Sequence, residues 1–208
     1  MTVSGFYFPQ KMGGIILQSM EEVMSRDGAN TLLQLASLDS WLDDDSPASR
    51  SERKLPFETI SLLQSMLEQE HGTLSGRGLA LRIGRASFKY GLKEYGSALG
   101  LTKTAFRLLP LSTKMRTGLK SLAEFFNKNT DQHVQIEEQA DQFLWRIERC
   151  PLCWGRKAAE PVCHLAVGLL QEALYWLSGG KVFNVEEIAC AARGDPACTI
   201  RIDRTPIS

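Results

Sequence analysis

The sequence predicts an α+β fold, an antiparallel sheet packed with helices and preceded by a helical N-terminal extension. Three observations carry that reading. Up to Asn127 the apolar residues recur at three- and four-residue spacing, the period of a helix. From Val134 they alternate with polar residues, the period of a strand. After that change the order is strand, strand, helix, strand, strand, which suits an antiparallel sheet with helices on one side.

The first helix is expected over 13–26, where Ile16, Met20, Val23 and Met24 share a stripe. Asp27-Gly28 should end it, with glycine as the C-terminal cap. A short second helix follows over 29–36. Residues 43–54 (DDDSPASRSERK) are polar and read as a surface loop. Periodicity places further helices at 57–70, 79–99 and 114–127, with 72–78 a glycine-rich loop. Gly84, Gly91 and Gly96 weaken the 79–99 helix intrinsically but permit close approach of another element or a ligand.

Val134 and Ile136, then Phe143, Trp145 and Ile147, mark two strands, with Gln139 to Asp141 as the turn between them. Residues 161–177 form a helix apolar on several faces, hence buried on several sides. Ser178-Gly179-Gly180 stops it. A strand over 182–191, a turn at 193–196 and a closing strand over 198–203 complete the chain. The expected division is an N-terminal extension and loop at 1–55 and a ligand-binding domain at 56–208.

Lys+Arg and Asp+Glu balance at 24 each in 208 residues. That lacks the basic footprint of a nucleic-acid binder and argues against strong attraction to anionic membranes. No segment approaches the about 20 apolar residues of a membrane span, and MTVSGFYFPQ lacks a secretory signal. The expected location is cytoplasmic, with at most peripheral membrane association. In a reducing compartment, five cysteines are expected as metal ligands or buried thiols before disulfides.

Cys150-Pro-Leu-Cys153 is a CxxC, a turn that can aim two sulfurs at one small ion. Cys190 and Cys198 flank the last turn at a separation that fits a hairpin bringing the thiols together. Glu187 can add a carboxylate, and Cys163, at the start of the preceding helix, a third thiolate. Three thiolates and a carboxylate make a closed tetrahedral site of structural type. Spacing alone leaves metal binding, buried thiols and a redox role all open.

These residues resemble the 4-vinyl reductase domain family. The matching strings are Cys150-Pro-Leu-Cys-Trp-Gly-Arg156 and PVCHLAVGLLQEALYWLSGGKVFNVEEIACAARGDPACTIRI, with Gly76-Arg-Gly-Leu-Ala-Leu-Arg-Ile-Gly-Arg85 resembling the longer members. The resemblance implies a fold similar to transport-particle (TRAPP) subunits, often homodimeric. Related sensor domains of phenol-responsive activators bind aromatic molecules in a buried pocket beside a structural zinc. Their zinc ligands correspond to Cys163, Glu187, Cys190 and Cys198, with Cys150 and Cys153 outside that set.

The family name implies a link to vinyl reduction in chlorophyll biosynthesis. A reductase needs a hydride or electron source, and neither a GxGxxG after a strand nor a ferredoxin-type cysteine run is present. Non-catalytic binding of a hydrophobic molecule is therefore expected. A tetrapyrrole such as a chlorophyll precursor or bilin, or another aromatic, would be carried, assembled or sensed. Vinyl reduction and a role as a protein-interaction subunit are the alternatives. Phe143, Trp145, Trp154, Tyr175 and Trp176 are the candidate pocket residues, against an ordinary core role. Arg85, with Arg77 and Arg82 near it, is a candidate anchor for a carboxylate. His133 and His164 read first as hydrogen-bonded structural residues and second as ligands. His71 carries no signal.

Overall fold

The computed structural model describes residues 4–38, 52–100, 106 and 108–207. The element order is β1 (Tyr7–Pro9), α1 (Gln10–Leu35), β2 (Arg53–Pro56), α2 (Phe57–His71), α3 (Thr73–Leu99), α4 (Leu111–Asn129), β3 (Val134–Glu138), β4 (Gln142–Ile147), α5 (His164–Ser178), β5 (Phe183–Ala189) and β6 (Cys198–Pro206). A single 3-10 turn, Ala191–Arg193, lies between β5 and β6. The fold is α+β. Strands β3-β4-β6-β5 form an antiparallel sheet, and β1 pairs with β2 in a separate two-stranded ribbon.

Alternation along the strands aims one face of the sheet inward. Phe143, Trp145 and Ile147 on β4, Ile200 and Ile202 on β6, and Phe183 and Val185 on β5 are buried. Their neighbours Glu186 and Arg201 form an ion pair on the outer face. Helix α5 lies along β5 and α4 and crosses α3, which packs in turn against α1 and α2. Apolar residues on nearly every side of α5 follow from this central position.

The α3–α5 crossing depends on two glycines. A Cβ on Gly84 would sit 2.1 Å from the Leu165 carbonyl oxygen, and one on Gly168 would sit 2.0 Å from that of Leu81. The expected close approach at Gly84 is therefore made by a helix. At Gly91 a Cβ would meet nothing within 4 Å.

Several boundaries differ from expectation for identifiable reasons. The first two helices run as one, α1, with a kink at Ser25 (φ 71°) and not at Asp27-Gly28. The Ser25 hydroxyl accepts a hydrogen bond from the Gly28 amide, which caps the second half of the helix at its N-terminal end. The expected loop over 72–78 is mostly helix, because α3 begins at Thr73 after the single residue Gly72. Gly76 serves packing, since a Cβ there would lie 2.4 Å from the Leu67 carbonyl oxygen of α2.

Helix α5 starts at His164, three residues after the expected Pro161. Side-chain hydrogen bonds to Val162 and Cys163 hold that approach out of the helix. Residues 39–51, most of the expected polar loop, lie outside the described residues, whereas Arg53 and Lys54 belong to β2. No helix among the described residues is long and apolar enough to cross a membrane.

Candidate functional site

The five cysteines converge on one place, and all five are buried and unpaired. β4 leads directly into the loop carrying Cys150 and Cys153. Cys163 is the residue that precedes α5. Glu187 lies on the inward face of β5, with Cys190 just beyond its end and Cys198 opening β6 opposite Ile147. The expected hairpin geometry is found: the Cys190 and Cys198 sulfurs are 3.9 Å apart.

Cys163 lies 3.9 Å from Cys190 and 3.6 Å from Cys198. Four ligands about one ion with bonds near 2.3 Å define a tetrahedron with edges of about 3.8 Å. The three sulfurs therefore already form a face of that size. Glu187 completes this set, and one of its carboxylate oxygens is buried with no hydrogen-bond partner. Its other oxygen accepts a 2.6 Å bond from the Cys163 amide, which fixes the side chain. Cys150 and Cys153 are not bystanders. Cys150 lies 3.5 Å from Cys163 and Cys153 3.3 Å from Cys198, and these four sulfurs form a second set of ligand spacing.

The cluster is a crowd of acids in a dry place. Burial and then the neighbouring sulfurs hold the Cys163 thiol well above the ordinary range, and burial also raises Cys150. Burial and then the charge of Cys190 push Glu187 up to about 8. Contact with Cys153 raises Cys190, but hydrogen bonding with Cys163 and Cys198 outweighs it and leaves Cys190 at about 6. These groups compete for protons until a cation lets them ionise together. The cluster can hold a metal ion.

The surrounding chain is braced by residues that spacing alone did not single out. Gln64 of α2, almost fully buried, donates to the carbonyls of Leu152 (3.1 Å) and Val162, and its oxygen accepts from the Leu165 amide at 3.0 Å. One side chain thus ties the CxxC loop to the start of α5. Asp195 accepts from the Cys190 amide (2.8 Å) and from Arg193 (2.9 Å), shaping the last turn. Arg156 pairs with Glu68 at 2.8 Å, and Trp154 stacks edge-on against Phe6, anchoring the far side of the CxxC loop.

Beside the cluster lies an apolar cavity of about 110 Å³ between α1, α3, α4, α5 and β4. Pro151 and Leu152, the two residues inside the CxxC, form part of its wall, as do Leu165 and Ala166 just after Cys163. Phe88, Gly91, Tyr95 and Phe126 line it elsewhere. Burial, then the charge of Glu94, pushes the Tyr95 phenol up to about 12. Polar groups in the wall are few. Ser87 donates to the Ser19 hydroxyl at 3.1 Å, whereas the amide oxygen of Gln132 is buried with no partner.

Of the expected pocket residues, Trp145 lines this cavity. Phe143 is in the core, with the Arg204 guanidinium over its ring. Trp154 packs on Phe6 and Phe57, and Trp176 leans on Phe88. Tyr175 is 48% exposed, and Arg85 bonds Gln171 on the surface. His133 pairs with Glu148 at 2.5 Å, away from the cysteines. His164 has a buried, unpartnered Nε2, and its pKa is lowered by burial and then by Arg77.

Residues 144–204 match the model of the 4-vinyl reductase domain. This part of the chain is a 4-vinyl reductase domain. The match spans β4, the CxxC loop, α5 and the hairpin that carries Glu187, Cys190 and Cys198. An uncharacterised protein of Methanocaldococcus jannaschii is 32% identical to the chain over 82 residues, 39% of this chain and 44% of that protein. The aligned part is less than half the relative's length. Among solved structures, the phenol-responsive sensory domain of the transcription activator PoxR, determined with phenol, superposes with a TM-score of 0.53 at 20% identity, covering 73% of this chain and 77% of that one. An H-NOX protein from S. oneidensis in an Fe(II)NO ligation state reaches 0.60 at 12% identity over 97% and 100% of the two chains. An H-NOX protein from K. algicida reaches 0.54 at 13% over 94% and 96%. At these identities the likeness is one of fold. The helices that precede the 4-vinyl reductase domain fall within the fold shared with H-NOX proteins.

Proposed function

We propose that the chain is a small-molecule sensing or carrier module whose cavity takes one compact apolar molecule, about the size of a single aromatic ring. The observation that carries this is the cavity's chemistry: an apolar wall with one buried, unpartnered amide oxygen, that of Gln132. A buried acceptor without a partner costs about 1–3 kcal/mol, so a ligand hydroxyl or N–H that meets it gains specificity as well as affinity. The size supports one ring. An apolar cavity of about 150 Å³ takes benzene, and this one is about 110 Å³. The neighbouring sensory domain was determined with phenol, a ligand of that class.

A tetrapyrrole is the less favoured occupant, since pockets for large ligands are roughly 300–1,000 Å³. Haem, the group whose distortion was probed in an H-NOX neighbour, fits less well still. Among the described residues lining the cavity there is no histidine or cysteine to hold its iron. The metal is read as a structural zinc at Cys163, Glu187, Cys190 and Cys198, which fixes the cavity wall formed by Leu165 and Ala166.

The test is a thermal-shift and calorimetric comparison of phenol, toluene and a porphyrin on the full chain. Phenol should raise the melting temperature more than toluene, and Gln132→Leu should remove the difference. Gly91→Leu should fill the cavity and abolish both. Binding of the porphyrin with no response to either single-ring compound would overturn the reading in favour of a tetrapyrrole.

A further inference from the structure

We propose that the cysteine cluster is binuclear: two divalent metal ions bridged by the thiolates of Cys163 and Cys198. Cys150 and Cys153 complete the shell of one ion, and Glu187 and Cys190 that of the other. The proposal builds on the reading of a structural zinc at the second set and adds an ion that the first set holds.

The arrangement of donors carries it. Two four-membered sets have ligand atoms all within 4.8 Å of one another, and they share Cys163 and Cys198 and no other member. The shared edge is 3.6 Å long, the size of a tetrahedral edge about one ion. Cys150 and Cys153 extend from it at 3.5 and 3.3 Å, and Cys190 at 3.9 Å from both bridging sulfurs. Six donors therefore complete two tetrahedra only if two of them bridge, and the residues that occupy both sets are the ones placed to do so.

Charge leads to the same count. All six donors are buried, Glu187 the most accessible at 7%. One divalent ion takes four of them and strands two thiols beside an anionic centre. Either those thiols stay protonated, or the buried charge grows. Five thiolates and a carboxylate around two divalent ions leave a net charge of minus two, the same as three thiolates and a carboxylate around one. The second ion lets every donor ionise without enlarging the buried charge. The donor set suits zinc or cadmium, whose thiolate complexes are tetrahedral. The amide of Ala191 points at the Cys198 sulfur at 3.3 Å, a hydrogen bond suited to a sulfur carrying excess charge.

Native mass spectrometry of the full chain loaded with zinc reads the stoichiometry directly. Two ions per chain are expected, falling to one in Cys150→Ser/Cys153→Ser and to one in Glu187→Gln/Cys190→Ser. Cadmium-loaded wild type should give two NMR resonances coupled through the shared sulfurs, a readout that needs no variant to fold. One ion per chain with a single uncoupled resonance would overturn the binuclear cluster while leaving the single structural site intact. No bound ion would overturn both. Iron with acid-labile sulfide in place of zinc would overturn the thiolate-bridged pair. The cavity reading is tested separately by phenol binding.

Discussion

Gln64 does more for the site than its position on α2 suggests. Its amide serves two carbonyls and one amide N–H, all on segments that carry metal-binding cysteines. Leucine has similar bulk but no hydrogen-bonding group, so Gln64→Leu leaves Leu152, Val162 and Leu165 each with a buried unpaired group. At roughly 1–3 kcal/mol per stranded group, with partial relaxation, the expected loss is about 3 kcal/mol. For a chain of this size that lowers the melting temperature by about 6–12 °C. Gln69→Leu, on the exposed face of the same helix, should move it by less than about 2 °C. A scan in which the two variants behave alike would show that Gln64 is not a brace. No sequence signal marked it: a lone glutamine in a helix is ordinarily a surface residue, and its partners lie 88 or more positions away.

At the scale of elements, the same residue type gives opposite outcomes along one helix. In α3, Gly84 faces the α5 backbone, whereas Gly78 faces open space. Gly78→Ala should stabilise the helix by about 0.5–1 kcal/mol, because alanine has less chain entropy to lose. Gly84→Ala should destabilise by about 3 kcal/mol or more, since its Cβ meets a backbone carbonyl that no rotamer change can move. Urea unfolding of the two variants checks the sign, and a stabilised Gly84→Ala would mean that α3 and α5 do not cross here. Periodicity made most elements legible, because a stripe of Ile, Leu and Met buries the same way whatever it packs on. What was less legible depended on partners distant in sequence. Gly76 reads as loop until α2 is beside it, and the three- and four-residue strands β1 and β2 have no period of their own and gain one by pairing. Ser25 is the exception: a cap that local sequence could have revealed, masked by the stronger turn signal of Asp27-Gly28.

At the scale of the molecule, the cysteine cluster and the cavity share a wall. The convergence of Cys163, Glu187, Cys190 and Cys198 was legible because a helix start and a hairpin fix it locally. The cavity was less so: its wall draws on five helices that the aromatic residues of the C-terminal half do not reveal, and among the residues expected there Trp145 alone lines it. The shared wall has a thermodynamic consequence. Pro151 and Leu152 sit between two cysteines, and Leu165 and Ala166 follow a third, so removing metal frees the backbone that shapes one end of the cavity. A ligand binding the ordered wall must then bear the cost of ordering it, and its affinity falls by the coupling between the sites, typically 1–3 kcal/mol. Stripping the protein with a chelator should lower the melting temperature and weaken phenol binding about tenfold. Because coupling is reciprocal, saturating phenol should tighten metal binding by the same factor, read as a higher chelator concentration needed for half removal. Equal phenol affinity with and without metal, in protein that circular dichroism shows to be folded, would mean that packing alone holds the wall. The cysteines would then serve stability without tuning recognition.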